Sequence, residues 1–493
     1  MTTVLDRFVA SATRFPSKTF LVAAYHPSLT ALKYGEVLER SRAFAAHLSA
    51  EGVVGGDRVV LNCPNSLEFV SAYFGTWLAG GTAVPLDPRA RAAHVDRIYR
   101  DCGARAIVVP NARPDLDSSL RQIELSRFDW TAAPPKVPPQ SPENSLALII
   151  YTSGTTGAPR GVCLSHDNLE HTRASIASWA KVNESDRELT TLSMTHLFGL
   201  AHLHVYAALG ATLYIEEGFR DVPRLLDMID RFEITSFPGT PGGLKIILDR
   251  FAESFASKAR HLRYMIVNTA PMPEAQTRRL LSLLPDTEIF MYYGLTEASR
   301  STYLAYRNHP EKLDTVGRAT PGGEVRIGQT PPGLIDEQGE IMVKGPHVAA
   351  RYWNNDSKEF FEDGWFRTGD LGIMDGEGFV TWLGRVRDQI NVNGLKLVPA
   401  EVENILRQDP RVLDCAVVGV PDAATGESVA AFVVVEGGVE DPSLERSLRK
   451  LCHQNLDEHK VPRRVLFVSE IPKTDSGKVK HYQLRERMLS GKA

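Results

Sequence analysis

Cysteine is scarce in this sequence. Its 493 residues include only five, Cys63, Cys102, Cys163, Cys415 and Cys452, and none form a CxxC pair. Thiols this scattered exclude a disulfide framework and a structural zinc site of the usual spacing, and they read as buried free cysteines. There is also no apolar stretch of the roughly 20 residues that spans a bilayer. The N-terminal MTTVLDRFVASATRFPSK is broken throughout by polar and charged residues, so it lacks the apolar centre of a signal peptide. Charge of one sign is missing as well. The 56 basic and 60 acidic residues leave a formal net charge of -4, with no bulk attraction to nucleic acid or an anionic membrane. A cytoplasmic enzyme is expected, and any phosphate it binds must be held by a local site.

What is present suits an ordinary globular chain, 43% hydrophobic and 24% charged. At this length a single core has stopped growing, so at least two domains are expected. An amphipathic helix over Tyr34–Ala50 precedes the strand DRVVLNC, the helix SLEFVSAYFGTWLAG and the turn AVPLDPR. This alternation implies a parallel sheet with helices on its faces. A Pro-rich stretch at residues 131–145 reads as a surface connection. The next strand, LALIIY, is apolar on both faces, as a buried parallel strand is. Further βα units follow around LTTLSM, ATLYIE, ITSFPG and LRYMIVN. From about Gly317 the short strands GGEVRIG, GEIMVKG and GFVTWLGR predict a small antiparallel sheet or barrel closing the large domain. The last hundred or so residues read as a self-contained α+β unit: helix PAEVENILRQ, strands CAVVGVP and SVAAFVVVE, helix SLERSLRKLCHQNL and strand RVLFV. The domain boundary falls within GRVRDQ, giving one domain over residues 1–386 and a second over 387–493.

LALIIY runs into YTSGTTGAPRG, residues 151–161. Such a loop offers glycines that admit a close ligand, hydroxyls that donate to phosphate oxygens, and free backbone N–H groups. Thr152, Ser153, Gly154, Thr155, Thr156 and Gly157 are the candidate phosphate-holding residues. This is not a Walker loop, because GK[ST] is absent and Arg160 stands where a cation would meet phosphate. On composition alone, a flexible surface turn is the alternative.

YTSGTTGAPRGV resembles the signature loop of the adenylate-forming superfamily of acyl-CoA synthetases, peptide-synthetase adenylation domains and firefly luciferase. The family's usual ending is PKG, so Arg160 keeps the charge and changes the donor geometry. Five more segments follow in the family's order: THLFGL (195–200) resembles its gate, YGLTE (293–297) its Mg-ATP motif and WFRTGDLG (365–372) its ribose-binding segment. GRVRD (384–388) resembles its hinge and PKTDSGK (472–478) its catalytic-lysine loop. The resemblance covers nearly the whole chain and is closest in character to stand-alone acyl- or aryl-CoA ligases. It implies an α/β fold, with a large N-terminal domain of Rossmann-like αβ subdomains plus a small β-barrel, then a small mobile α+β C-terminal domain.

The chemistry so implied is attack of a carboxylate on the α-phosphate of ATP. The two negative groups repel, and cations and oriented N–H donors must offset that repulsion. By motif match, Glu297 would hold Mg²⁺, for which a carboxylate is a suitable hard ligand, and Thr296 would donate to the α-phosphate. Tyr293, before Gly294, would stack on adenine, with a core tyrosine as the alternative. Asp370 would take both ribose hydroxyls with Arg385 assisting, although an isolated Asp in a turn is usually a cap or turn former. Lys478 would reach from the small domain to the reacting carboxylate and α-phosphate. Arg387 would be the hinge about which that domain rotates between half-reactions, and Gly394 would let a pantetheine arm pass close to the backbone.

For the acid, the resemblance makes His196 a gate beside the carboxylate. A metal reading of HLFGLAHLH lacks a neighbouring cysteine or paired acid. Leu197 stands where amino-acid-activating relatives carry Asp, which points away from an α-amino acid. Tyr292 and Asn268 replace small residues and imply a short or medium-sized acid. Arg300 falls at an expected pocket wall, where it pairs with a second carboxylate or polar group or else turns to solvent. The sequence ends soon after the lysine loop, so no fused carrier domain is expected. The expected cofactors are ATP, Mg²⁺ and coenzyme A, with the phosphopantetheine of a separate carrier protein as the alternative acceptor. A non-catalytic nucleotide-binding relative is a third reading, against which the presence of Glu297, Asp370, Arg385 and Lys478 counts.

Overall fold

The computed structural model describes residues 2–25, 29–131, 146–152, 159–216, 218–219, 221–268, 272–329, 337–355, 357–422, 424–436, 442–473 and 479–489. The Pro-rich connection at 132–145, the loop residues Ser153, Gly154, Thr155, Thr156 and Gly157, and Lys478 lie outside them.

Several helices begin where a side chain satisfies their first N–H groups. Ser66 accepts from the Phe69 amide at 3.0 Å to start the helix Leu67–Leu78. This helix is apolar all round and buried on every face, so it sits inside the core against the amphipathic helix Tyr34–Ala50. The helix Leu197–Leu209 is equally apolar and ends at Gly210, whose φ of 77° supplies the left-handed cap.

Two large sheets carry the first body. One has nine strands, with Glu288–Tyr293, Tyr264–Val267, Ser236–Gly239, Arg187–Thr190, Thr212–Ile215 and Thr19–Ala23 running parallel in that spatial order. The other has seven strands and includes Leu146–Thr152 and Arg160–Ser165. Leu146–Thr152 pairs in parallel with Thr82–Pro85 at Leu148 and Ala83, but antiparallel with Arg160–Ser165 along its length. Leu146–Thr152 and Arg160–Ser165 are therefore antiparallel partners consecutive in the chain, which the apolar run LALIIY gave no sign of. A third, antiparallel sheet of five strands supplies the small β layer expected after Gly317, with Trp365–Met374 paired to Gly339–Lys344 and Val380–Arg385.

Beyond Gln389 a five-stranded sheet with helices Pro399–Leu406 and Pro442–Asn455 has its own two apolar clusters. These draw on residues between Ile390 and Leu484 alone. All five cysteines are free and buried.

Candidate active site

The strand Glu288–Tyr293 delivers most of the site through its C-terminal end and the turn that follows. A Cβ on Gly294 would stand 2.5 Å from the Arg300 amide nitrogen and 2.9 Å from the Ala298 carbonyl. The chain folds back so tightly there that only glycine fits. The Leu295 amide donates to Ala298 O at 3.0 Å and the Ala298 amide to Leu295 O at 3.3 Å, which leaves Thr296 and Glu297 at the tip, partly exposed.

Tyr352 fastens this tip to the flank of the phosphate-type loop. Its hydroxyl donates to Glu297 Oε1 at 2.8 Å, and the short strand Arg351–Tyr352 pairs with Arg160–Ser165. Arg160, opposite Thr152 on the paired strand, lies 5.9 Å from the Tyr352 ring centre and 5.0 Å from that of Phe360. Tyr352 escaped the sequence reading, because a two-residue strand has no period to detect.

Asp370 and Arg385 face each other on adjacent antiparallel strands, Nε to Oδ1 at 2.8 Å. The Tyr293 hydroxyl donates to Asp370 Oδ2 at 2.7 Å, and the Thr368 hydroxyl accepts the Asp370 amide at 3.1 Å. Burial, with the neighbouring Asp370 charge, holds the Tyr293 phenol well above its ordinary pKa. Each oxygen of Asp370 thus already has a protein partner, and Tyr293 is a buried ring whose hydroxyl is engaged.

His196 is the exposed N-cap of the helix Leu197–Leu209. The helix can start there because Gly199 packs on the preceding loop: a Cβ would lie 2.4 Å from Ser193 O. The other two histidines of the motif turn elsewhere, His202 to buried Glu188 at 2.8 Å and His204 to the Tyr73 hydroxyl at 2.9 Å. Burial pushes His204 down to about 3, so it is neutral. Beside the helix start, Tyr292 is buried and its hydroxyl meets the Asn268 side chain.

Arg300 does not turn to solvent. It is 2% exposed, reaching under the helix start to Leu197 O and Phe198 O, each at 3.3 Å, and lying 4.5 Å from the Tyr292 ring centre. An arginine directly after a turn is ordinarily an exposed residue, and no sequence pattern marks this one as buried.

Past Arg385, the single turn Val386–Asp388 carries exposed Arg387. Gly394, with φ of 85°, has open space where a Cβ would be.

One strand end therefore gathers Tyr292, the Tyr293–Asp370–Arg385 group, Thr296, Glu297 with Tyr352 and Arg160, and Arg300. The donor set suits Mg²⁺ bound with phosphates. Glu297 is a partly exposed carboxylate held by a neutral hydroxyl, and Mg²⁺ ordinarily takes one or two protein carboxylates beside substrate phosphate. No helix among the described residues is long and apolar enough to cross a membrane.

Residues 8–353 match the AMP-binding enzyme family and residues 401–478 the AMP-binding enzyme C-terminal domain. The chain is 32% identical over 478 residues to the long-chain-fatty-acid–CoA ligase FadD13 of Mycobacterium tuberculosis, covering 92% of this chain and 93% of that protein. It is 31% identical over 476 residues to a feruloyl-CoA synthase of Amycolatopsis, covering 93% and 94%. The o-succinylbenzoate CoA synthetase MenE of Bacillus subtilis, solved with its acyl-adenylate intermediate, superposes with a TM-score of 0.87 at 27% identity, over 97% of each chain. The chain belongs to the AMP-binding enzyme family and is an adenylate-forming acid–thiol ligase of the acyl-CoA synthetase kind, working with ATP, Mg²⁺ and coenzyme A.

Proposed function

We propose that this enzyme activates a short or medium-sized carboxylic acid, not an α-amino acid, and passes the acyl group to coenzyme A. The observation that carries this reading is the single strand end at which Tyr292, Tyr293, Thr296, Glu297 and Arg300 meet Asp370, Arg385 and Tyr352. On this reading Glu297 would hold Mg²⁺ between the nucleotide and the acid.

In this reading Asp370 and Arg385 hold the ribose, with Tyr293 orienting the carboxylate. Tyr293 and Gly294 shape the adenine side, and residues Thr152 to Gly157 with Arg160 take the phosphates. Thr296 donates to the α-phosphate. Glu297 holds Mg²⁺, which offsets phosphate charge during adenylation. Lys478 contributes the remaining cation at the reacting centre.

His196, Leu197, Asn268, Tyr292 and Arg300 form the acid pocket. The bulk of the buried Tyr292 ring supports a short acid. Residues 1–386 and 387–493 act as two bodies rotating about Arg387, a reading supported by apolar clusters confined to residues beyond Gln389. The open backbone at Gly394 supports passage of the pantetheine arm. The enzyme works in the cytoplasm.

A mass-spectrometric screen of carboxylic acids with ATP and Mg²⁺, with and without coenzyme A, tests this reading. An acyl-adenylate without the thiol and a thioester with it are expected. An adenylate that coenzyme A fails to discharge, but a phosphopantetheinylated carrier protein does, would move the acceptor to the carrier.

A further inference from the structure

Arg300 carries two costs that a purely structural arginine avoids. Its backbone is held at φ 58°, a left-handed conformation uncommon for any residue with a Cβ, and its guanidinium is almost wholly buried. A buried arginine normally repays such costs through a carboxylate in hydrogen-bond contact. Here the partners among the described residues are neutral. Nη1 donates to Ser299 Oγ at 2.8 Å and to Leu197 O at 3.3 Å, and Nη2 donates to Phe198 O at 3.3 Å. The nearby acid, Glu188, acts on Arg300 only through its charge, and its Oε2 already accepts from His202 Nδ1 at 2.8 Å and Ser236 Oγ at 3.0 Å.

A guanidinium has five N–H donors. Three are taken by these contacts, leaving one on Nη2 and the one on Nε, which is buried without a hydrogen-bond partner among the described residues. Nε and one terminal nitrogen together form the side edge of the fork that receives a carboxylate through two parallel bonds. The Tyr292 and Phe198 ring centres lie 4.5 Å and 5.7 Å from the guanidinium carbon. An acyl chain ending in methyl would leave both donors buried and unpaired, at a cost exceeding what one methyl group gains by burial.

We infer that the acid this enzyme activates carries a second carboxylate at its far end, received side-on by Nε and Nη2 of Arg300. The inference rests on the proposed reading of Tyr292, Leu197 and Arg300 as walls of the acid pocket, and it names the substrate class of that pocket as dicarboxylic acids activated at one end.

The test is kcat/KM of the full-length enzyme, with ATP, Mg²⁺ and coenzyme A, for three matched series. These are α,ω-diacids with two to eight methylenes together with the benzene dicarboxylates, their half methyl esters, and monoacids of equal length. At the best chain length the diacid is expected to exceed its half ester and monoacid by about 10- to 100-fold, mainly through KM. Arg300→Gln should bring that ratio close to one, and Arg300→Lys, which keeps the charge without the fork, should fall between. A wild-type enzyme that turns over half esters or monoacids as well as the best diacid overturns the inference while leaving the ligase reading intact. Failure of every acid in these series to form an adenylate would instead remove the proposed short-acid reading, and this inference with it. The wild-type comparison decides the matter even if Arg300→Gln does not fold.

Discussion

Arg385 stands directly opposite Asp370 on the neighbouring strand, its Nε 2.8 Å from a carboxylate whose other oxygen accepts the Tyr293 hydroxyl. The last residue of one strand, the centre of another and the end of a third are thereby tied through one buried acid. Arg385 also immediately precedes the turn Val386–Asp388. Whatever binds Asp370 thus acts two residues from the proposed hinge, Arg387.

Tyr293→Phe removes a hydrogen-bond donor to that buried carboxylate. Loss of a hydrogen bond to a charged group costs about 1.5–3 kcal/mol, so KM for ATP is expected to rise about 10- to 100-fold while the acid dependence stays near normal. Steady-state kinetics with each substrate varied in turn will check this, and an unchanged KM for ATP would place Asp370 away from the nucleotide.

Lys478→Ala is expected to lower acid-dependent pyrophosphate exchange by about 10²- to 10³-fold, the usual effect of removing one charge-stabilising donor at a reacting centre. Thioester formation from preformed acyl-adenylate should survive. Retained exchange would take the assignment away from Lys478.

Gly199→Ala sets a gain against a clash. Alanine favours a helix over glycine by about 1 kcal/mol, but its Cβ would lie 2.4 Å from Ser193 O, a backbone atom that cannot swing aside. Overpacking of this kind costs about 1–3 kcal/mol. The clash is expected to win, and urea unfolding should show a net loss of stability together with reduced adenylation as His196 shifts. A more stable variant would mean that the loop yields freely.

His481 lies 3.6 Å from both Asp388 and buried Glu403, with Arg387 nearby. Burial works to lower its pKa, yet the adjacent carboxylate of Glu403, with Asp388 adding, holds it above the ordinary 6.5; Arg387 opposes them. Because the folded value is the higher one, the stabilisation is fully present below about 6.5 and is lost as pH rises through the raised value. Thermal unfolding of the full chain between pH 6 and 8 should show this decline, and His481→Gln should flatten it. An identical pH slope in the variant would exclude His481 as its source.

The sequence alone identified the alternation of helices and strands, the two-body layout and the family. Hydrophobic periodicity predicted the helix Tyr34–Ala50 with the ends it has, and six short motifs identified the chemistry, because periodicity and loop composition are local properties. The tertiary structure decided what local patterns cannot encode. An apolar run carries no strand direction, so LALIIY did not reveal that its main partner is the antiparallel strand Arg160–Ser165. Tyr352 reaches Glu297 from 55 positions away, on a strand too short to show a period. For Arg300, polar and after a turn, the sequence left a pocket wall and the solvent as equal alternatives. Only the helix start at Leu197 and Phe198, brought over it from a hundred residues earlier, buries its charge and leaves two of its donors facing no protein carboxylate.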